Sequence, residues 1–251
     1  MASCRACEEP LVLHIADSDD ERGDVVTIDI PDDIELSCHC HYHWQCLMDN
    51  ASSVLSSFRC PTCEGDISTL ASLTAGSSRA EDIHTILVRY TNEGGIQDRL
   101  DISLSMREEV YLEAHPDAAP ARAFHLMCAE GDLEGLVELL YHAGDQVPDL
   151  GSVIRYQDPL SDMKSGLHLA VETRQEGVAW LLLWLSSSLP SDAFPLRARQ
   201  NLESMGLGRL SVDVDTDIRG FLDGHGRSAA ALAAQLGSPC LRLAESGLLS
   251  M

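Results

Sequence analysis

Lysine is nearly absent from this chain: of its 17 basic residues only Lys164 is a lysine, and the rest are arginine. Positive charge as a whole is scarce, since 40 Asp and Glu leave a formal charge of −23 over 251 residues. The deficit is not local, because residues 1–66, 67–120 and 121–251 each hold more acidic than basic side chains. With no basic stretch, nucleic-acid phosphates and anionic membrane surfaces are repelled rather than held, so neither is an expected partner. Long apolar runs are missing too. The longest, Val178 to Leu185, falls far short of the roughly 20 residues that span a bilayer. No apolar stretch follows Met1-Ala2-Ser3-Cys4-Arg5, so no secretory leader is expected and the expected location is cytoplasmic or nuclear. Hydrophobic residues still make up 45%, which is enough to fill ordinary cores and excludes wholesale disorder.

What the chain does have is clustered cysteine. Seven of its nine cysteines lie in the first 63 residues, while Cys128 and Cys240 stand alone. An odd total in a reducing compartment argues against a disulfide framework and for metal ligation. The cluster runs Cys4-x2-Cys7, then Cys38-His39-Cys40-His41-Tyr42-His43-Trp44-Gln45-Cys46, then Cys60-Pro61-Thr62-Cys63. A Cys-x2-Cys turn can aim two thiolates at one zinc about 2.3 Å away. Cys38, Cys40, His43 and Cys46 from the centre complete eight ligands, enough for two tetrahedral sites. His39 or His41 could stand in for Cys40; His14 has no partner in the pattern.

This stretch resembles a RING finger. The centre Cys38-x-Cys40-x2-His43-x2-Cys46, the aromatic Tyr42 before the histidine and Pro61 after the seventh ligand match that family. PHD fingers and RING-CH domains share the ligand order, but they place four or more residues before the histidine where this chain has two. The resemblance implies two structural zinc ions in a cross-brace. Cys4, Cys7, His43 and Cys46 would hold one, and Cys38, Cys40, Cys60 and Cys63 the other. It also implies a shallow apolar groove for a ubiquitin-conjugating enzyme, for which Ala6, Val54, Leu55, Phe58 and Pro61 are the candidates. Ala6 is shorter than the aliphatic residue usual there. Glu64 stands where active members commonly place an arginine.

Between the first two ligand pairs, Leu11–Ile15 and Val25–Ile30 read as short strands, and the acidic stretch between them as a solvated loop. Residues 67–80 read as a linker. His84–Tyr90 and Ile96–Ile102 read as a hairpin around Asn92-Glu93-Gly94-Gly95, with helical character from Met106 to Ala114. A lone hairpin is marginal in water, so this one is expected to pack on a neighbour.

The remaining chain repeats weakly. Arg122-Ala-Phe-His125-Leu, Ser165-Gly-Leu-His168-Leu-Ala and Asp223-Gly-His-Gly-Arg-Ser228-Ala each open a helix-like segment. These units resemble ankyrin repeats, although 43 and 63 residues separate equivalent positions where the family period is about 33. Insertions near 145–164 and 186–222 are therefore expected to loop out. The resemblance makes His125 and His168 structural residues that tie turns. Trp180 and Trp184 are expected to face the core, with Cys128 and Cys240 as small buried hydrophobes.

The expected fold is thus α+β and multidomain. A RING-like ββα zinc domain (1–66) and a hairpin-and-helix connector (67–119) precede an all-α stack of about three ankyrin-like repeats (120–251). The expected function is that of a RING-type ubiquitin ligase, in which the repeats bind a client and catalysis is by proximity, with no catalytic residue of its own. The alternatives are a non-catalytic zinc-binding adaptor and, less favoured by spacing, a PHD-like reader of histone tails. Arginine-favouring codon usage is the simpler account of the missing lysines. The other is a ligase that offers little target for self-modification.

Overall fold

Alternating aliphatic residues make Val12–Asp17 (β1) and Val26–Pro31 (β2) an antiparallel pair with Leu13 opposite Ile30 and Ile15 opposite Ile28. Asp33–Glu35 (β3) and His41–Tyr42 (β4) form the next pair. Trp44–Met48 (α1) and Ala51–Ser57 (α2) follow, and Phe58 ends α2 in the left-handed region at φ 53°. Thr69–Leu70 (β5) pairs with His84–Thr85 (β6). Leu87–Asn92 (β7) and Gly95–Asp101 (β8) are the hairpin expected from the sequence. Its two-residue loop is held by Asn92 Oδ1, which accepts from Gly94 N at 2.9 Å, and Gly95 takes φ 113°, where a side chain would be strained. Ser103–Ala114 (α3) begins three residues earlier than its pattern indicated. Asp101 Oδ1 accepts from Ser103 N there, and Ser103 Oγ accepts from Ile86 N.

The hairpin packs on its N-terminal neighbour. β7 pairs with β3, giving one four-stranded antiparallel sheet in the order β4-β3-β7-β8. Ile86, Val88, Ile102 and Met106 share a core with Ile34, Leu36, Tyr42, Leu47, Val54 and Ile67. Residues read as a connector therefore complete the core of the cysteine-rich region. In this computed structural model the chain divides into two units, Met1–Ala114 and His115–Met251. Residues 2–17, 26–70, 84–146, 149–237 and 247–250 are described. The acidic stretch 18–24, the linker 71–80, Cys240 and the end of the third repeat near Leu243 lie outside them.

The second unit is mainly helical. Ala119–Glu130 (α4) ends at Gly131, φ 81°, and Leu133–Gln146 (α5) follows at once. Leu150–Ile154 (α6) then leads into a small hairpin of Gln157–Asp158 (β9) and Lys164–Ser165 (β10). Gly166–Glu172 (α7) and Glu176–Ser186 (α8) form a second helix pair. Leu196–Ser204 (α9) lies in the long insertion, and Ala229–Leu236 (α10) opens the third segment. α4 packs on α7 and α7 on α10, so the leading helices lie side by side. Phe124, Leu136, Leu167, Val171, Leu182 and Leu232 fill the core between them. Trp184 is buried and meets Phe194 edge to face, and Trp180 packs on the same ring at a tilt. No helix among the described residues is long and apolar enough to cross a membrane.

Candidate metal centre

Three sharp turns set the cysteines. In the first, Glu8 N donates to Cys4 O at 2.9 Å and Cys4 N to Glu9 O at 2.9 Å. The second repeats the pattern: Glu64 N donates to Cys60 O at 3.0 Å and Cys60 N to Gly65 O at 2.9 Å. In the third, His39 N donates to Leu36 O and Leu36 N to Cys40 O. Each turn closes on a residue in the left-handed region, Glu8 (φ 65°), Glu64 (φ 58°) and His39 (φ 60°). Such turns fold two sulfurs toward one point.

The turns bring the eight expected residues together as two groups of four. Cys4, Cys7, His43 and Cys46 form one and Cys38, Cys40, Cys60 and Cys63 the other, with the ligand atoms of each group within 4.8 Å of one another. Each group could hold a metal ion. The pairs alternate along the chain, first with third and second with fourth, so the two groups interleave. A tetrahedral zinc with 2.3 Å bonds holds its sulfurs about 3.8 Å apart. The spacing within each group suits that arrangement, and soft thiolates with one imidazole are a zinc-type donor set.

His43 shows which nitrogen would face a metal ion. Its Nδ1 is 3.3 Å from Cys7 Sγ and 3.8 Å from Cys46 Sγ, while Nε2 donates to Pro10 O at 2.8 Å. The carbonyl fixes the tautomer and leaves the Nδ1 lone pair turned to the thiols. Cys40 takes the place left open between it and two histidines. His39 Nδ1 instead meets Glu35 at 2.7 Å and His41 Nδ1 meets Asp33 at 2.8 Å. His14 pairs with Asp29.

The electrostatics of the two groups are alike. Burial opposes ionisation of Cys4, but the backbone N–H groups of Cys7, His43 and Ala6 outweigh it and bring the thiol down to about 6. Burial opposes ionisation of Cys60 as well, and the N–H groups of Cys63 and Thr62 with the Tyr42 hydroxyl bring it down to about 6. Burial, with Cys4 and Cys7 beside it, pushes Cys46 up to about 12. Burial and neighbouring thiols also raise Cys40. One thiolate forms readily in each group and resists the next, a repulsion that a divalent cation removes.

Tyr42, marked in the sequence as an aromatic, contributes its hydroxyl, and Asp32 contributes with no sequence signal at all. Tyr42 Oη lies 3.2 Å from Cys60 Sγ and 2.6 Å from Thr62 Oγ1, the position of an outer-shell group. The buried Asp32 carboxylate accepts from Trp44 N at 3.1 and 3.2 Å and from Tyr90 Oη at 3.1 Å. It thereby caps α1 and ties β7 to the metal region. Its partners lie 12 and 58 residues away, so no capping pattern marks it.

The proposed partner groove needs one correction. Ala6 and Pro61 are exposed, and Leu55 and Phe58 are half-buried. Val54, however, is fully buried, because α2 turns Ala51 and Val54 (i, i+3) together into the core and leaves Val54 nothing to offer a partner. Arg59 is exposed and its Nη1 donates to Glu64 O at 2.7 Å, so a guanidinium borders the second turn.

In the second unit the two repeat histidines are tied into the frame. His125 Nε2 donates to Tyr156 O at 3.1 Å, and His168 Nε2 to Arg227 O at 3.0 Å. Each reaches the loop that precedes the next leading helix. His168 Nδ1 also meets Ser165 Oγ at 2.8 Å in a capping box. Cys128 is buried, and burial raises its thiol, so it is no nucleophile. An apolar pocket of about 340 Å³, lined by Leu133, Val137 and Met205 and rimmed by Glu134 and Glu138, lies beside α5. No family model, curated protein or solved structure matches this chain.

Proposed function

We propose that the first unit is a RING-like module with two structural zinc ions and that the protein is a ubiquitin ligase of that type. The second unit, on this reading, is an ankyrin-like platform that binds the client. The observation that carries the reading is the alternating assembly of the eight residues into two groups, on two matching turns and a third that is one residue tighter. Its catalysis needs no nucleophile. The module docks a conjugating enzyme and holds its ubiquitin thioester where a client amine can attack, so the rate comes from proximity and orientation.

Exposed Ala6 and Pro61 with half-buried Leu55 and Phe58 are the surface offered to the conjugating enzyme. The Arg59 guanidinium beside Glu64 supplies a cation where the chain itself has placed a carboxylate. For the platform, support comes from the histidine-to-next-loop hydrogen bonds and the side-by-side leading helices. Adjacent loops join as well, Gly224 N donating to Asp162 O at 2.6 Å and Gln157 Nε2 to Leu222 O at 2.7 Å. The apolar pocket beside α5 is one place for a client side chain.

A second reading is favoured by Glu64, whose carboxylate is exposed and cannot donate a hydrogen bond to ubiquitin. On that reading the zinc module is a non-catalytic adaptor. A ubiquitination assay with a panel of conjugating enzymes decides. Activity that is lost in His43→Ala and Cys60→Ser and raised by Glu64→Arg supports the ligase. Zinc-loaded protein that neither binds nor stimulates any conjugating enzyme supports the adaptor.

A further inference from the structure

Lys164 is the only lysine in 251 residues, and the fold engages it. It lies in β10, paired with Asp158 of β9, directly before α7. Its Nζ is 2.8 and 3.0 Å from the two carboxylate oxygens of Glu172, and its side chain is only 13% exposed. Surface lysines ordinarily hold the ammonium out in water on a flexible stem. Arginine carries the chain's other positive charges, and a guanidinium keeps the charge without ever offering a free amine. Codon preference accounts for a composition poor in lysine. It is blind to whether the one that remains is exposed or sequestered.

We infer that the fold withholds this chain's single side-chain amine from acyl transfer, so that ubiquitin brought to the zinc module passes to another chain. The inference rests on the ligase reading. In the transfer an amine nitrogen attacks the thioester carbonyl, the C–N bond forms and the C–S bond breaks. The conjugating enzyme's cysteine leaves as a thiol with the proton the amine has lost. Nζ of Lys164 can enter that reaction only after it leaves both Glu172 oxygens.

The test uses the full zinc-loaded chain, an active conjugating enzyme and ubiquitin, with conjugates mapped by mass spectrometry. The unaltered chain is expected to build ubiquitin on other acceptors and none on Lys164. Arg107→Lys, at an exposed position of α3 in the zinc unit, is expected to become modified at position 107. Glu172→Ala is expected to make Lys164 a target. Modification of Lys164 in the unaltered chain, or none at position 107 while other acceptors are modified, overturns the inference. Reductive methylation with formaldehyde and cyanoborohydride reads the amine without any ligase activity. Lys164 in the folded chain is expected to react severalfold more slowly than in a peptide of residues 160–168. Equal rates overturn sequestration outright. Slow methylation with no transfer to any acceptor leaves sequestration standing and overturns the ligase reading.

Discussion

His43 does two jobs with its two nitrogens, and Tyr42 beside it reaches the other group of ligands. Nδ1 faces Cys7 and Cys46 while Nε2 is held by Pro10 O, so the ring is oriented before any metal arrives. Tyr42 Oη against Cys60 Sγ does the same for the second group. Tyr42→Phe keeps the ring in the core and removes that contact together with the hydroxyl's bond to Thr62 Oγ1. Its zinc affinity, read by competition with a chromophoric chelator, is expected to fall about 10- to 100-fold. The fold should remain. Asp32→Ala removes the acceptor of the half-buried Trp44 N–H and of the Tyr90 hydroxyl and is expected to cost about 1–3 kcal/mol in denaturant unfolding of the zinc-loaded unit. An effect no larger than that of an exposed substitution would remove Asp32 from the frame. The eight ligands were legible because the chemistry dictates residue type and the Cys-x2-Cys turn is local. Asp32 was not, because its importance lies in partners that only the folded sheet delivers.

At the scale of elements, the buried histidines His125 of α4 and His168 of α7 make the helical unit acid-sensitive. Burial is the main reason that His125 is lowered to about 4; it also lowers His168. The unfolded chain binds a proton near pH 6.5 that folded His125 refuses until about pH 4. Stability is therefore full above 6.5 and is lost as pH falls through that window, by roughly 3 kcal/mol for His125. Asp217 and Asp223 act lower. Burial opposes their ionisation, but bonds from Arg219 and Arg227 outweigh it and hold both at about 2, so they subtract stability only below pH 3.8. Thermal unfolding followed at Trp180 and Trp184 in a Trp44→Phe background is expected to show a falling midpoint from pH 6.5 to 4. His125→Gln should flatten that dependence; an unchanged slope would contradict it. The strands and helices were legible in outline from turn residues and periodicity. The pairing of β7 with β3 was not, because period-two patterning marks a strand without naming its partner.

At the scale of the molecule, each unit has its own core, and among the described residues the groups that could hold a metal ion lie in the first. A zinc module read as 66 residues gains a hairpin and a helix, and with them Ile86, Val88, Ile102 and Met106 in its interior. Removal of metal is therefore expected to release hydrogen-exchange protection across the described residues up to Ala114, β7, β8 and α3 included. Protection in α4 to α8 should stay. Loss confined to residues 1–66 would show that the hairpin stands without the metal region. The charge of −23 sets the expectation that polyanions are repelled, and the lack of lysine acquired a structural counterpart in the Lys164–Glu172 pair. The central claim is that two alternating groups of four ligands each hold a zinc ion. Elemental analysis of freshly purified protein tests it most directly. Two zinc ions per chain are expected, falling to one or fewer in Cys60→Ser; a value near zero in the unaltered chain would contradict the account.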